Sequence, residues 1–502
     1  MTESPLRVAV VFDGERPARW VLEAITRVRQ IEGWQVCLLA ARLVRATRAH
    51  YAAHWLPYLW IDRALSANVD DEALGELVSE SIADSVVMHD DELGAVLAEA
   101  GPDALLCLDS DYEPVNLPFT LGAWRVVADP QAPMRAVAAQ RTVITASVES
   151  ITSQRRLRES HSRVDQLSVA ITRQRHLKKL SSLPALALAD LVDGEPGTES
   201  EMDPCAQARL LPFLGAAGRR LMRTAVRHLA RKQWFIAYQL NPEQPVPELA
   251  QMTVLPSPRD RFWADPFPVE WQDRRCIFVE EWPYARGRGH IAVLEVDDDS
   301  GVGHLGTALE LPYHLSHPQV LECDDELYMI PESGARGTVE LFHCVEFPLR
   351  WEPVATLLDN VRAVDATLHR EEEGWWMFVN IGDGAISTYE ELHLFWSESL
   401  RGPWTPHPRN PVVSDPRRAR PAGRLFQMGD ALYRPAQDCG ERYGGAIVIH
   451  EVAELTKNSY RESPHTRLQP QSLQGANRIH TLNSADWITV VDAHRDQWLT
   501  AR

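Results

Sequence analysis

Residues 262–281 read FWADPFPVEWQDRRCIFVEE: a polar residue, Asp265, opens a short apolar strand, and a turn and a second apolar strand follow. Four later stretches repeat this pattern, and their leading polar residues are His317, Asp365, Arg420 and His480. We call these five residues the anchors. They are 52, 48, 55 and 60 residues apart, close to the length of a four-stranded propeller blade. The repeat therefore predicts an all-β, five-bladed β-propeller over residues 233–502.

A second set of polar residues lies at the ends of the second strands. Its members are Glu280, Glu332, Asn380, Gln437 and Asp492. Because the first strand of each blade lines the central channel, we expect the anchors to converge on one axis with this second ring beside them. The alternative is that the repeated polar residues only fix turns, as Asp before Pro often does.

The last copy of the repeat is short, since only ten residues follow Asp492. Two strand-like segments, residues 233–240 and 251–256, precede the first copy. We expect them to complete the fifth blade, so that both ends of the propeller meet in one sheet and leave no exposed edge.

Composition excludes several classes of protein. A net charge of −19 argues against a general nucleic-acid binder. The seven scattered cysteines contain no CxxC spacing, which predicts reduced thiols and neither a zinc site nor a disulfide framework. The sequence has no signal-like start, and no GxGxxG or GxxxxGK[ST] motif. We therefore expect a soluble cytoplasmic protein and predict no cofactor and no metal ligands, while the oligomeric state and the presence of a divalent ion on the propeller axis stay open.

The first half of the chain alternates strand and helix patterns. The segments RVAVVF, QVCLLA and ALLCL predict a doubly wound, Rossmann-like α/β domain over residues 1–150. Residues 151–232 are interpreted as a helical and linker region. Its basic amphipathic stretch, residues 206–232, is predicted either to contact an anionic membrane surface or to dock on the acidic body of its own chain.

The propeller half also carries motifs of a known family. They include FWADPF, YHLSHPQVLE, VDATL, LRGPWTPHPRNPV, ARPAG, YGGAIVI and HTLN, spread over residues 232–495. This half resembles the N-terminal domain of plant glucosamine inositolphosphorylceramide transferases and their bacterial relatives. That family in turn resembles the five-bladed propellers of glycoside hydrolase family 43. The first half is similar to a formyltransferase-like domain; Val126 and Val127 lie where its histidine is expected, and only Asp129 matches, so this domain is predicted to be degenerate.

The family 43 resemblance implies roles for several residues. Asp265 matches the general base and Asp365 the residue that tunes the pKa of the acid, whereas Arg420 replaces the acid itself. Glu332, or Glu280, is the candidate replacement acid. An inverting pair would need carboxyl groups roughly 6.5–9.5 Å apart. The residues predicted to bind the ligand are His317, Arg420, His480, Glu280, Asn380, Gln437, Asp492 and Trp263.

Three functions stay open at this point. The first is a carbohydrate-active enzyme that hydrolyses or transfers a sugar, and the second is a non-catalytic glycan-recognition domain associated with glycosyl transfer. The third is a protein-interaction platform, because a fold alone does not fix a function. An arginine beside two histidines favours an anionic or phosphorylated sugar as the ligand.

Overall fold

The computed structural model describes residues 4–14, 17–43, 55–65, 82–115, 117–126, 129, 131–153, 155–192, 198–199, 213–215, 218, 222, 230–297, 301–382 and 387–498. The chain divides into two compact units, residues 1–219 and 220–502. The basic stretch 206–232 lies almost entirely outside the described residues, so its predicted contacts stay predictions. No helix in the described part of the chain is long and apolar enough to cross a membrane.

The first unit is built on one eight-stranded sheet. Its strands β1–β8 are Leu6–Asp13, Trp34–Arg42, Val86–Met88, Ala104–Leu108, Ala123–Val126, Val143–Ser150, Arg155–Arg163 and Thr198–Glu199. Its described helices α1–α5 are Arg19–Val28, Leu56–Leu65, Asp90–Ala100, Ala132–Ala138 and Val169–Val192. The strand order is β3-β2-β1-β4-β5-β6-β7-β8, and the pairs from β3 to β5 are parallel.

Helices cover both faces of this sheet. Side chains of α1 and α5 pack on one face, around Val10 and Phe12, while α3 packs on the other face, around Val11 and Leu105. Residues 151–192, interpreted from sequence as a separate region, instead contribute β7 and α5 to this same sheet. The predicted likeness to formyltransferases stays a prediction, and Asp129 is held by the Arg135 side chain.

The second unit consists of five sheets, which confirms the predicted five blades. Blades 1 and 2 contain β11–β14 (Arg261–Trp271, Arg274–Pro283, His290–Asp297, Gly301–Leu309) and β15–β18 (Ser316–Cys323, Glu326–Glu332, Val339–Glu346, Arg350–Leu358). Blade 3 contains β19–β23 (Ala363–Glu371, Gly374–Ile381, Glu391–Ser397, Thr405–Pro406, Val413–Ser414). Blade 4 contains β24–β28 (Arg420–Pro421, Phe426–Met428, Ala431–Asp438, Ala446–Leu455, Tyr460–Leu468).

Blade 5 joins the two ends of the propeller. Strands β9 (Ala230–Leu240) and β10 (Thr253–Leu255) pair with β29 (Leu482–Ala485) and β30 (Ile488–Trp498) in the order β10-β9-β30-β29. The antiparallel register runs from Ile488 opposite Leu240 to Trp498 opposite Ala230. This confirms the predicted closure. The fully buried side chains of Phe235, Val491 and Ile449 pack in a core that blades 4 and 5 share.

Candidate functional site

The anchors of blades 1, 2 and 3 share one backbone geometry. Asp265, His317 and Asp365 have φ angles of 49°, 43° and 53°, in the left-handed region that residues other than glycine rarely adopt. Each lies where the register of the first two strands of its blade shifts, between Ala264 and Phe267 in blade 1 and at the matching positions of blades 2 and 3. The three anchors are therefore bulge residues, and bulges redirect side chains out of the regular alternation of a strand.

The anchors and the second ring link consecutive blades. Asp492 of blade 5 accepts a hydrogen bond from the backbone N–H of Asp265 at 2.9 Å. Asp265 of blade 1 in turn accepts one from the N–H of His317 at 3.0 Å, and His317 Nε2 lies 3.0 Å from Thr367 Oγ1 of blade 3. All five anchors are buried, Arg420 being the most exposed at 7%. The predicted convergence of anchors thus appears as a chain of bonds around the axis.

Blades 3 and 4 are joined by an ion pair. The Arg420 guanidinium donates to Asp365 from Nε at 2.5 Å and from Nη2 at 3.2 Å. Gln437 donates to the same carboxylate at 2.9 Å. Burial alone would raise the pKa of Asp365, but the Arg420 charge outweighs it and lowers that pKa. The Arg420 guanidinium therefore compensates the negative charge of the Asp365 carboxylate.

Blade 5 joins the chain of bonds at blade 1 through Asp492, which is fully buried. Its Oδ1 accepts the backbone N–H groups of His480 and Thr481, at 3.0 and 2.9 Å, and its Oδ2 lies 2.5 Å from His480 Nδ1. Burial alone would lower the pKa of His480, but the Asp492 and Asp265 carboxylates raise it. The Thr481 hydroxyl donates to Asp265 at 2.6 Å.

Among the residues that the structure describes, one group of three could hold a cation: single ligand atoms of Asp265, His480 and Asp492 lie within 4.8 Å of one another. The oxygens of both carboxylates already accept hydrogen bonds: those of Asp265 from blades 5 and 2, and those of Asp492 from blade 1 and from the backbone of its own blade 5. A cation would have to replace these bonds. The geometry therefore assigns the three residues to blade closure.

Two glutamates of the second ring have raised pKa values. Burial, with the Asp365 carboxylate, raises the pKa of Glu332 to about 7, although Ser316 donates to it at 2.9 Å. Burial, with the carboxylates of Asp265 and Glu332, raises the pKa of Glu280 well above its usual range. His314 lies 3.7 Å from Glu280. Near neutral pH these carboxyl groups can therefore donate hydrogen bonds as well as accept them.

Two other side chains in the rings have unused hydrogen-bonding capacity. Neither amide atom of Asn380 has a partner among the described residues, although the side chain is fully buried. His317 Nδ1 is likewise buried without a partner there. Thr367 gives its hydroxyl proton to the Asp365 carbonyl, so it accepts from His317 Nε2, which leaves Nδ1 as a free acceptor. Burial lowers the pKa of His317, which keeps the ring neutral.

Sequence reasoning missed an aromatic group beside the anchors. The Trp234 ring stacks on the His480 ring at a centroid distance of 4.1 Å, and Tyr443 meets the same imidazole edge-on at 5.0 Å. The Arg420 guanidinium lies 5.0 Å from the Tyr443 ring and 5.3 Å from the Tyr389 ring. Tyr443 is the first residue of the family motif YGGAIVI, and its place in that motif could have indicated a role in the site.

The predicted ligand contact of Trp263 has no support in the packing. Its indole N–H donates to Glu281 at 2.9 Å, and the ring lies in the core between blades 1 and 5 with Ile236 and Trp487. The residue is only 6% exposed. In a regular strand, Trp263 and Asp265 would face the same side, because they are two residues apart. The bulge after Ala264 turns Asp265 to a different direction, so the two side chains do not share a site.

Five sheets around a channel, with polar rings from the first two strands of each blade, define a five-bladed β-propeller with a buried polar site on its axis. A family model described as glucosamine inositolphosphorylceramide transferase 1, N-terminal, matches residues 240–496, which is just over half of the chain. The chain belongs to this family.

Proteins named glucosamine inositolphosphorylceramide transferase 1 are similar over this region. The one from Oryza sativa subsp. japonica is 32% identical over 248 residues, and the one from Arabidopsis thaliana is 34% identical over 249 residues. Each match covers 47% of this chain, but only 33% and 32% of the two relatives. The chain thus matches about a third of the length of these relatives.

Solved structures of glycoside hydrolases are also similar. Zg3597, a family 117 glycoside hydrolase from Zobellia galactanivorans, gives a TM-score of 0.35 at 12% identity, over 55% of this chain and 93% of its own. The catalytic domain of the Coprinopsis cinerea GH62 α-L-arabinofuranosidase gives 0.35 at 12%, over 47% and 92%. These scores are too low to support an inference about function.

Proposed function

We propose that the propeller is a glycan-recognition domain that binds a neutral, hydroxyl-rich sugar among the two polar rings on its axis. Membership of the family supports a role connected with carbohydrates, since its relatives are named for a transferase of a glucosamine-containing lipid. The matched region is about a third of those relatives, so the proposal concerns binding by this domain.

The observation that carries the proposal is the unused hydrogen-bonding capacity of Asn380 and His317. A buried amide with no partner costs about 1–3 kcal/mol, and folded proteins rarely leave one in place without a purpose. Asn380 offers both a donor and an acceptor, and His317 Nδ1 offers an acceptor. A sugar hydroxyl is both donor and acceptor, so it can satisfy either residue.

The charges of the site favour a neutral ligand. The sequence favoured an anionic or phosphorylated sugar because Arg420 was expected to be available. Two of its nitrogens instead donate to Asp365, and its Nη1 donates to the Thr388 carbonyl at 3.4 Å. The Asp265 and Asp492 carboxylates add negative charge nearby, which disfavours a phosphate or carboxylate.

A second candidate function, hydrolysis or transfer of a sugar, is favoured by one observation. A carboxyl group with a pKa of about 7 is suited to act as a general acid at neutral pH, and Glu332 has this property. Asp265 would then serve as the base. Both of its oxygens already accept hydrogen bonds from Thr481 and His317, so recognition remains the function the geometry supports best.

Isothermal titration calorimetry with a panel of neutral mono- and oligosaccharides, uronic acids and sugar phosphates tests this proposal. We expect neutral sugars to bind, and Asn380→Leu, which is close in size, to weaken binding at least about tenfold because one or two hydrogen bonds are lost. The matched control is Asn458→Leu, at an exposed turn of blade 4, which should bind like the wild type.

Turnover assays on the same panel separate the two candidates. Sugar release that is abolished in Glu332→Gln, while binding persists, would replace recognition by catalysis. Binding that is equal in the wild type and in folded Asn380→Leu would refute the site itself. A preference for sugar phosphates over neutral sugars would refute the charge argument.

A further inference from the structure

A cavity of about 440 Å³ lies on the propeller axis beyond the anchors. All five blades line it through their innermost segments, which contribute Pro268, Val320, Leu368, Leu425 and Trp487. In each blade these residues follow the anchor by three to seven positions in the sequence. A strand advances about 3.3 Å per residue, so the cavity lies on the order of 10 Å or more farther along the channel. Its volume is in the range of small-ligand sites.

Arg424 is a cation without a carboxylate partner in this cavity. Its Nη1 and Nη2 donate to the backbone carbonyls of Pro268 and Val320, at 3.0 and 2.6 Å, so the side chain reaches from blade 4 to blades 1 and 2. No acidic group in the described part of the chain forms an ion pair with it. A guanidinium has more N–H donors than the two used here. Arg424 is partly buried, so its charge carries a desolvation cost without a counter-charge, and an anion would offset that cost.

The rim of the cavity has the opposite charge. Glu270, Glu322 and Asp486 line it, and all three are exposed. Arg370 also lines it, and its guanidinium lies 5.4 Å from the Trp375 ring. Apolar side chains such as Leu368 and Trp487 also line the cavity, beside polar ones such as Gln319 and His369. The cavity therefore offers a partly buried cation, apolar side chains and three exposed carboxylates.

We propose that this cavity is a second ligand site, for a small zwitterion with a carboxylate or phosphate at one end and an ammonium group at the other. The anionic end pairs with the Arg424 guanidinium, which suits planar or tetrahedral oxyanions. The ammonium end lies among the rim carboxylates, and the apolar side chains cover the carbon chain. This site shares no residue with the polar rings described above, so it does not depend on their function.

Three probes of equal chain length test the proposal on the whole protein: 6-aminohexanoate, hexanoate and hexylamine, measured by calorimetry up to on the order of 10 mM. We expect 6-aminohexanoate to bind best, hexanoate to bind more weakly by a few-fold, and hexylamine not to bind. Arg424→Met should weaken 6-aminohexanoate binding at least about tenfold. The double variant Glu322→Gln/Asp486→Asn should remove the advantage of 6-aminohexanoate over hexanoate.

Arg461→Met is the matched control, because this arginine is 69% exposed on the outer strand of blade 4. If Arg424→Met does not fold, Arg424→Lys should still lower the affinity for 6-aminohexanoate. The existence of the site is then decided by the ranking of the three probes on the wild type. No binding by any probe, or equal binding by hexylamine, overturns the site. Equal affinities for hexanoate and 6-aminohexanoate overturn the role of the rim. Unchanged affinity in folded Arg424→Met overturns the role of the arginine.

Discussion

Asp492→Asn is the substitution that most directly tests how the ring of blades is held closed. The change keeps the shape of the side chain and replaces one oxygen with an NH₂ group. The remaining oxygen can still accept the hydrogen bonds from the backbone N–H groups of His480 and Thr481. The new NH₂ group then faces two other donors, the Asp265 N–H at 2.9 Å and His480 Nδ1 at 2.5 Å. The bond between blades 5 and 1 is then lost, and both donors stay buried.

The expected cost follows from these two donors. Each buried donor without an acceptor costs about 1–3 kcal/mol, and breaking a buried ion pair typically costs about 3–5 kcal/mol. Asp492 is 0% exposed, so solvent does not compensate. We expect the free energy of unfolding to fall by about 4 kcal/mol. At about 2 °C per kcal/mol for a domain of this size, the melting temperature should fall by about 8 °C.

Differential scanning calorimetry at pH 7 measures this loss, with circular dichroism to follow the β-structure. Asp430→Asn, at an exposed turn of blade 4, is the control and should melt within about 1 °C of the wild type. If Asp492→Asn lowers the free energy of unfolding by less than about 1 kcal/mol, the polar rings do not hold the blades together, and the interpretation of Asp492 is wrong.

Three further predictions concern single sites. The pKa of Glu332 in the folded protein, about 7, is above its ordinary value of 4.5, so its contribution to stability is full below pH 4.5 and is lost as the pH rises through 7. Glu332→Gln should therefore be as stable as the wild type at pH 4.5 and more stable at pH 8, by up to roughly 3 kcal/mol. A gain in stability that does not depend on pH would contradict this. Gly423→Ala should lower the free energy of unfolding by more than about 3 kcal/mol, because φ is 126° and the new Cβ would lie 2.0 Å from a backbone carbonyl oxygen. The control Gly429→Ala, whose Cβ would have nothing within 4 Å, should cost only about 1 kcal/mol. Similar urea midpoints for the two variants would refute the steric argument. Arg434→Met should cost about 3 kcal/mol, because the almost fully buried Glu462 carboxylate loses the cation 2.8 Å away and keeps only the more exposed Arg418 at 3.3 Å. The double variant Arg434→Met/Glu462→Leu should recover part of the loss, and additive losses in urea unfolding would exclude the coupling.

The blades could be predicted because their signal is local. Each copy of the repeat contains an anchor, two apolar strands and the turn between them within about 20 residues, and the spacing of anchors sets the number of blades. The closure of blade 5 could also be predicted, since the last copy lacks outer strands and residues 233–240 and 251–256 supply them.

The function of the anchors could not be predicted from the same pattern. Whether Asp265 is a base or a link between blades depends on Thr481 and Asp492, which lie 216 and 227 residues away in the sequence. The pairing of Arg420 with Asp365 is likewise a contact across 55 residues. A repeat shows which positions are equivalent, but it does not show which neighbour uses each oxygen.

The pairing of β9 with β30 has a consequence for biosynthesis. The two strands are about 250 residues apart, and at a translation rate of about 5–20 residues per second β9 is made roughly 12–50 s before its partner. During that time the edge of β9 that pairs with β30 in the finished blade has no partner, and this strand carries Phe235 and Ile236, both fully buried in the finished blade. The nascent chain thus carries one uncovered, aggregation-prone strand edge for most of the synthesis of the propeller.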